Sequence, residues 1–211
     1  MDEITHLIPG PAGDLELRVA IPAHWHAGLP LVVCCHPHPL HGGSLTNKVV
    51  HTIATSLYKL GLAVVRFKFR GVGQSQGQFA NGVGEQADLL SVLQWCHTHH
   101  PADACWLAGF SFGAYVAHAA HCTAKAQALI LVAPAVNLYD FAQPTCHAIP
   151  TVVVQGGQDE IVPPTAVKTW VAAQHCIPGL VWCDEAGHFF HGKLALVQNA
   201  VTQFAQQQLS A

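Results

Sequence analysis

The chain has 211 residues, of which 51% are hydrophobic and only 10% are charged, and its formal net charge is −3. This composition excludes extended disorder, because disordered segments are rich in charge and poor in apolar residues. Lys and Arg form no cluster, so the chain has no electrostatic footprint for a nucleic acid or an anionic membrane surface. We therefore expect a single domain over residues 1–211, with one sizeable core.

The first residues and the cysteines indicate the compartment. The N-terminal segment is acidic and lacks the basic start and apolar stretch of a signal peptide. No segment approaches the roughly 18 continuous apolar residues of a transmembrane helix. The eight cysteines include no C-x-x-C pair, and Cys34 and Cys35 lie in an apolar run. We expect a cytoplasmic protein with reduced thiols and no membrane partner.

Strand-like and helix-like segments alternate along the chain. Residues 14–21 show the period-two alternation of a half-exposed strand. Short apolar segments typical of parallel strands covered on both faces follow at 31–35, 62–67, 104–108, 128–133, 151–155 and 180–184. Helical segments separate them at 44–60, 84–97, 112–123, 163–175 and 191–209. This order predicts an α/β fold with a mostly parallel sheet, where ligands bind beyond the C-terminal ends of the strands.

The loop after residues 104–108 carries the pattern G-x-S-x-G, as Gly109-Phe110-Ser111-Phe112-Gly113. Between a strand and a helix, this pattern forms a turn so tight that its flanking positions need residues without a Cβ. The turn presents the serine hydroxyl above the sheet and directs the next N–H to the same point. Ser111 is therefore the candidate nucleophile and the Phe112 N–H the first candidate oxyanion donor. The alternative is a glycine-rich turn with an idle serine.

Candidate partners for the serine follow two later strands. Asp159 comes after residues 151–155, where a carboxylate can hydrogen-bond a histidine from a neighbouring loop and hold its tautomer. Its neighbour Glu160 is the alternative acid. His188 follows the strand at 180–184 and is the candidate base, with His191 as the alternative. These two histidines lack a third ligand at a spacing that would favour a metal site.

The loop after residues 31–35 is rich in histidine and proline, reading His36-Pro37-His38-Pro39-Leu40-His41. Acyl transfer needs a second N–H from this loop to stabilise an oxyanion. The prolines have no N–H, which leaves His36, His38 and Leu40 as donors, and His38 is the first choice. The clustered histidines also suggest a metal site, but no carboxylate accompanies them. We therefore expect neither metal nor cofactor.

Other side chains near these loops have candidate roles in binding or bracing. The candidate substrate contacts are Phe110, Leu40 and Phe189, with core packing as the alternative for the aromatic rings. Arg70, in the loop after residues 62–67, is more typical of a donor that braces the loop than of an anion ligand. Glu85 and Asp88, on the next helix, are its candidate acceptors.

These motifs together resemble the α/β-hydrolase superfamily over nearly the whole chain. The chain order Ser111, Asp159, His188 is that of its serine–acid–histidine triad. The narrower resemblance is to small bacterial proteins described as predicted hydrolases or esterases, related to dienelactone-hydrolase-like enzymes. It rests on the HPHP segment with its two following glycines, on Asn-Lys-Val-Val at 47–50 and on Phe-Arg-Gly-Val-Gly at 69–73. The resemblance implies an eight-stranded sheet with its second strand antiparallel.

The segment 135–150 is too short for the cap domain that many superfamily members insert there, so we expect an open site. The resemblance and motifs predict a carboxylesterase that acts on small or exposed acyl esters through Ser111, His188 and Asp159. Thioester, amide or peptide hydrolysis on the same residues, and a non-catalytic binding protein, are the alternatives. The substrate is expected to be a small molecule. The low surface charge leaves a homodimer open.

Overall fold

An eight-stranded sheet forms the centre of the fold. The computed structural model describes residues 1–141, 149–174 and 179–210. In chain order the strands are β1 (Ile4–Gly10), β2 (Gly13–Ala20), β3 (Leu31–Cys35), β4 (Ala63–Phe67), β5 (Cys105–Phe110), β6 (Ala128–Val132), β7 (Thr151–Gly156) and β8 (Gly179–Cys183). Their order in the sheet is β1-β2-β4-β3-β5-β6-β7-β8. Strands β3 to β8 run parallel, and β2 is antiparallel to both β1 and β4, as the resemblance implied.

Helices cover both faces of the sheet. They are α1 (Lys48–Lys59), α2 (Val83–His99), α3 (Phe112–Ala120), α4 (Pro164–Ala172) and α5 (Leu194–Leu209). Helices α1 and α5 share one core cluster, whereas α2, α3 and α4 contribute to the other. Strand β3 shows why its sequence is continuously apolar: Val33 faces one cluster, and Val32 and Cys34 face the other.

The first strand was not predicted from its own sequence pattern. β1 is an edge strand that pairs only with β2, and while Ile8 is buried, Ile4 is 67% exposed and Leu7 is 53% exposed. An edge strand with one face in solvent lacks the continuous apolar run that identifies the buried strands. The eight-strand count came from the family resemblance, and the structure confirms it.

Helix α1 begins later than its periodicity predicted. The Asn47 side chain accepts hydrogen bonds from the N–H groups of Val49 and Val50, so the helix starts at Lys48 rather than near residue 44. Gly61 follows the helix with φ of 88°, a conformation that favours glycine at a helix end. The predicted helix at 163–175 ends at Ala172, and its last predicted residue lies outside the described residues.

The cysteines differ in one respect from expectation. Cys122 is disulfide-bonded, so the prediction of reduced thiols is wrong there, because a C-x-x-C search cannot detect bonds between distant positions. Cys146 and Cys176 lie outside the described residues. Cys34 and Cys35 are free and buried, and burial raises the pKa of the Cys34 thiol to about 12. Within the described ranges, no helix is long and apolar enough to cross a membrane.

An ion pair fixes the loop between β4 and α2. The Arg70 side chain donates to both oxygens of Asp88, which is fully buried, and its main-chain N–H donates to the same carboxylate at 3.0 Å. Glu85 instead accepts the N–H groups of Ala80 and Gly82. Arg70 is therefore a loop-bracing donor with Asp88 as its hydrogen-bond acceptor. Removing one partner of such a buried pair typically costs about 3–5 kcal/mol.

Candidate active site

Three loops at the C-terminal ends of β5, β7 and β8 bring the predicted serine, acid and histidine together. Ser111 Oγ lies 3.1 Å from His188 Nε2. His188 Nδ1 lies 2.8 Å from Asp159 Oδ2. All three residues are buried, with 8%, 2% and 7% of their surfaces exposed. The result is a continuous hydrogen-bond chain, which we call the serine–histidine–aspartate chain.

The turn at Ser111 is held in a strained conformation. Ser111 has φ of 56° and ψ of −115°, a region that residues with a Cβ rarely adopt. A Cβ at Gly109 would collide with the carbonyl of Gly113, and a Cβ at Gly113 would collide with the carbonyl of Cys35. The Ser111 N–H donates to Val132 O at 2.9 Å. Packing of the turn against β3 and β6 therefore maintains the strain and presents the hydroxyl to His188.

Asp159 is fixed as a carboxylate by four donors. Its Oδ1 accepts the N–H groups of Ile161 at 2.9 Å and Val162 at 2.7 Å. Its Oδ2 accepts from His188 and from Gln155 Nε2, the latter at 3.0 Å. Burial raises the pKa of Asp159, but the hydrogen bonds from His188, Val162 and Ile161 outweigh it and leave the pKa below its usual value.

An ionised Asp159 determines the tautomer of His188. The carboxylate can only accept a hydrogen bond, so His188 Nδ1 carries the proton and the lone pair of Nε2 faces the Ser111 hydroxyl. In this arrangement, the imidazole can accept the serine proton as the oxygen attacks an electrophile. The same carboxylate stabilises the imidazolium that forms.

Two residues that support this geometry had no predicted supporting role. Glu160, the alternative acid in the sequence, accepts the main-chain N–H of His188 at 3.1 Å and so holds the histidine loop rather than the imidazole. Gln155 is the penultimate residue of strand β7, is fully buried and donates to Asp159. A polar residue near the end of an apolar strand was the available signal for Gln155. Its contact with Asp159 depends on the turn at 157–159 and is not visible in the spacing.

The His-Pro-rich loop has a structural use for its first histidine. His36 is fully buried, its Nδ1 donates to Pro37 O at 2.6 Å, and its Nε2 accepts the Phe69 N–H at 3.0 Å. Burial lowers the pKa of His36 to about 4. Both ring nitrogens of the neutral imidazole are therefore occupied by protein groups. Across the described parts of the chain, no group of three His, Cys, Asp or Glu side chains could hold a metal ion.

His36 is expected to make the protein lose stability in mild acid. The unfolded chain binds a proton near pH 6.5, whereas the folded chain resists it until about pH 4. Unfolding is therefore favoured as the pH falls through this window, by about 2 kcal/mol between pH 7.5 and pH 5 for this group alone. Denaturant unfolding of the wild type and of His36→Gln at both pH values measures this loss of stability.

The comparison between the two pH values separates titration from packing. Glutamine retains a donor and an acceptor but does not titrate. The decrease in free energy of unfolding that His36→Gln causes at pH 7.5 therefore reports the cost of the substitution itself. The difference in free energy of unfolding between the wild type and the variant should be about 2 kcal/mol smaller at pH 5 than at pH 7.5. An unchanged difference between the two proteins at both pH values contradicts a neutral, buried His36.

The main-chain N–H groups of Phe112 and His38, the two predicted oxyanion donors, belong to residues that line the cavity at Ser111. Phe112 begins helix α3, and neither its N–H nor that of His38 has a hydrogen-bond partner among the described residues. Leu40, an alternative donor in the sequence, has its N–H bonded to His38 Nδ1 at 3.2 Å. Gly43 closes the turn by donating to His38 O at 3.0 Å. Of the alternative donors in this loop, Leu40 is therefore the one whose N–H is already bonded to a protein group.

A cavity of about 250 Å³ opens at Ser111. Its lining includes His38, Ser111, Phe112, His188 and Phe189, with an apolar wall of Ala135, Leu138, Tyr139 and Ile161. Phe189 is 37% exposed, which suits the predicted substrate contact.

The other two predicted contacts do not match the structure. Phe110 has no exposed surface because its ring packs in the core, 5.0 Å from the His188 ring. Leu40 is 71% exposed and lies outside the cavity lining, because the 3₁₀ turn Pro39–His41 turns it to solvent.

Comparison with known proteins places the chain among hydrolases. Residues 38–148 match the family described as serine aminopeptidase, S33. A lidless α/β serine hydrolase from Xanthomonas campestris is 40% identical, with a TM-score of 0.93 over 100% of this chain and 97% of that one. An α/β serine hydrolase homologue from Coxiella burnetii is 45% identical, with a TM-score of 0.89 over 96% of this chain and 97% of that one.

A sequence relative supports the same assignment. An uncharacterised protein of Rickettsia prowazekii is 35% identical over 92% of this chain and 85% of its own length. The finer likeness to dienelactone-hydrolase-like enzymes stays a prediction. The connection between β6 and β7, residues 133–150, leaves no room for a cap domain, as predicted. With this sheet order and these relatives, the chain belongs to the α/β-hydrolase superfamily, in the serine aminopeptidase S33 family, and it is a hydrolase.

Proposed function

We propose that this hydrolase is a carboxylesterase that acts on small or exposed acyl esters through an acyl-enzyme on Ser111. The observation that carries the proposal is the unbroken serine–histidine–aspartate chain, which ends at a cavity with two unpaired N–H groups. A nucleophile, a base with a fixed tautomer and an oxyanion site are the three requirements of acyl transfer.

The proposed reaction has two halves. Ser111 Oγ attacks the ester carbonyl while its proton passes to His188 Nε2, and the N–H groups of Phe112 and His38 stabilise the resulting oxyanion. The tetrahedral intermediate collapses as His188 returns the proton to the leaving alkoxide. Water then attacks the acyl-enzyme, with His188 again accepting and returning a proton, and releases the carboxylic acid. No step requires a cofactor.

The shape of the cavity supports a small acyl group. Its volume of about 250 Å³ lies below the roughly 300–1,000 Å³ of pockets that enclose drug-sized ligands. With no cap domain, a long acyl chain would lie in solvent rather than in a closed apolar channel. The apolar wall at Leu138, Tyr139 and Ile161 suits a short aliphatic or aromatic acyl group.

The name of the matching family, serine aminopeptidase, raises peptide hydrolysis as an alternative, which the cavity favours less. Aminopeptidase activity requires a group that recognises the substrate's protonated N-terminus, and a carboxylate is the natural partner for an ammonium ion. Among the described residues that line the cavity, none is Asp or Glu. The strain stored at Ser111 also favours catalysis over a binding-only role, since backbone strain of this kind clusters at active sites.

A substrate screen tests the proposed function. Purified protein is assayed on acetyl, butyryl and octanoyl esters, with matched thioesters and with amino-acid anilides. The expected result is highest kcat/KM on the acetyl and butyryl oxygen esters. Dominant activity on anilides would contradict the esterase proposal and favour an aminopeptidase, whereas dominant activity on thioesters would make the enzyme a thioesterase.

A further inference from the structure

A second cavity adjoins the first and has no part in the chemistry described above. Its volume is about 310 Å³, and it shares Gly42, Asn47 and Phe189 with the lining of the Ser111 cavity. These shared residues form the boundary between the two spaces. The two cavities are therefore neighbours, with Phe189 common to both linings.

The segments that line the second cavity indicate which half of an ester would bind in this cavity. The leaving oxygen receives its proton from His188 Nε2, so the alcohol half departs on the His188 side. The second cavity is lined by Phe189, His191 and Gly192, which follow His188 in the chain, and by residues from the start of α1. The apolar wall of the Ser111 cavity comes from other loops and suits the acyl half.

The ionisable side chains of the second cavity are basic. They are Lys48 and His191, and no Asp or Glu contributes to the lining among the described residues. Ser44 adds a hydroxyl donor, and its oxygen accepts the Thr46 hydroxyl at 3.4 Å. Asn47 Oδ1 already accepts the first free N–H groups of α1, from Val49 and Val50. The positive character of this cavity therefore comes from the Lys48 ammonium rather than from unpaired main-chain amides.

Lys48 is the only Lys or Arg among the described residues that line the second cavity. It is exposed at the cavity and forms no ion pair with any described residue. The basic side chains that do pair with carboxylates are Arg18, Arg66, Lys68, Arg70 and Lys193. An unpaired ammonium beside a cavity that adjoins the Ser111 cavity is available to a charged substrate group.

We propose that the second cavity binds the leaving half of the substrate, and that Lys48 selects esters whose alcohol or phenol half carries a carboxylate or a phosphate. The proposal rests on the proposed esterase function and gives it a substrate class. A neutral leaving group gains only apolar contact with Phe189. An anionic one gains a charge-assisted hydrogen bond with Lys48 and a hydroxyl donor from Ser44.

Matched aryl acetates test this selectivity. 3-Acetoxybenzoate, 3-acetoxyphenyl phosphate and the neutral 3-acetoxybenzamide carry the same acyl group, and the benzoate and benzamide are close in size. Both anionic esters should exceed the benzamide ester in kcat/KM, mainly through a lower KM, and whichever exceeds it more identifies carboxylate or phosphate as the preferred group. In Lys48→Gln the ratio of anionic to neutral kcat/KM should fall by about fivefold to tenfold.

Charge and position are separated by two further variants. Lys48→Arg retains the positive charge and should keep most of the preference. Lys59→Gln removes an exposed lysine from the other end of the same helix and should leave the ratio unchanged. Raising the ionic strength should reduce the preference in the wild type but not in Lys48→Gln. A wild-type ratio near one, or a preference that survives in Lys48→Gln, overturns the proposal.

A binding measurement makes the result independent of turnover. The phenol products, 3-hydroxybenzoate and 3-hydroxybenzamide, are titrated into Ser111→Ala protein by NMR. The benzoate should bind about fivefold more tightly or better, and Lys48→Gln in the same background should remove the difference. Equal binding of the two phenols refutes the Lys48 subsite. Hydrolysis of the neutral ester with no anion preference defeats this inference alone, whereas no ester hydrolysis at all defeats the esterase proposal.

Discussion

Replacing Ser111 with alanine is expected to lower kcat/KM on a small ester by about 10⁴-fold or more. The hydroxyl is the atom that bonds to the acyl group in the proposed reaction, and it is the partner of His188 Nε2 at 3.1 Å. Without it, only the oxyanion donors and the binding of the ester remain. The measurement is steady-state hydrolysis of p-nitrophenyl acetate and butyrate by both proteins.

A matched serine variant controls for non-specific effects of the substitution. Ser91 lies on helix α2, where its hydroxyl donates to Ala87 O at 3.1 Å, and Ser91→Ala should keep wild-type kinetics. Both variants should unfold cooperatively, because each loses a single hydroxyl. Residual activity of Ser111→Ala within tenfold of the wild type would remove Ser111 from the mechanism.

Changing Asp159 to asparagine is expected to cost about 10³-fold to 10⁴-fold in kcat. The asparagine Oδ1 can still accept the N–H groups of Ile161 and Val162, which places its amide nitrogen where Oδ2 met His188 and Gln155. An amide N–H cannot accept from the Nδ1–H of the imidazole. The histidine is then driven to the other tautomer, with a hydrogen on Nε2 that prevents it from accepting the serine proton.

Glu160→Gln is the matched control for this change. The glutamine amide oxygen can still accept the His188 main-chain N–H that Glu160 Oε2 accepts at 3.1 Å. The expected loss is below tenfold in kcat, because the imidazole tautomer does not depend on this contact. A larger loss in Glu160→Gln than in Asp159→Asn would reverse the assignment of the acid.

The sequence was sufficient to predict which residues form the serine–histidine–aspartate chain because each follows an apolar strand of a parallel sheet. Chain order and the rule that loops at the C-terminal ends of strands meet at one edge predicted the meeting of Ser111, Asp159 and His188. The tight glycine turn also predicted the free N–H of Phe112. These are local features, so a single sequence contains them.

Features that depend on side-chain direction and long-range packing were not accessible in the same way. Phe110 is next to the nucleophile in the chain, yet it belongs to a strand, where successive side chains point to opposite faces, and its ring enters the core. Leu40 lies in a 3₁₀ turn that directs it outward. Gln155 reaches Asp159 only through the turn after β7, and Lys48 acquires its proposed role only from the adjoining cavity.

Reaction with a fluorophosphonate tests most directly whether Ser111 is an activated nucleophile. The protein is incubated with the probe, and the adduct is quantified by intact mass and located by peptide mapping. One adduct per chain at Ser111 is expected, formed at least about 100-fold more slowly in Asp159→Asn and absent in Ser111→Ala. No adduct on the wild type, or an adduct at another residue that persists in Ser111→Ala, would contradict the proposed mechanism.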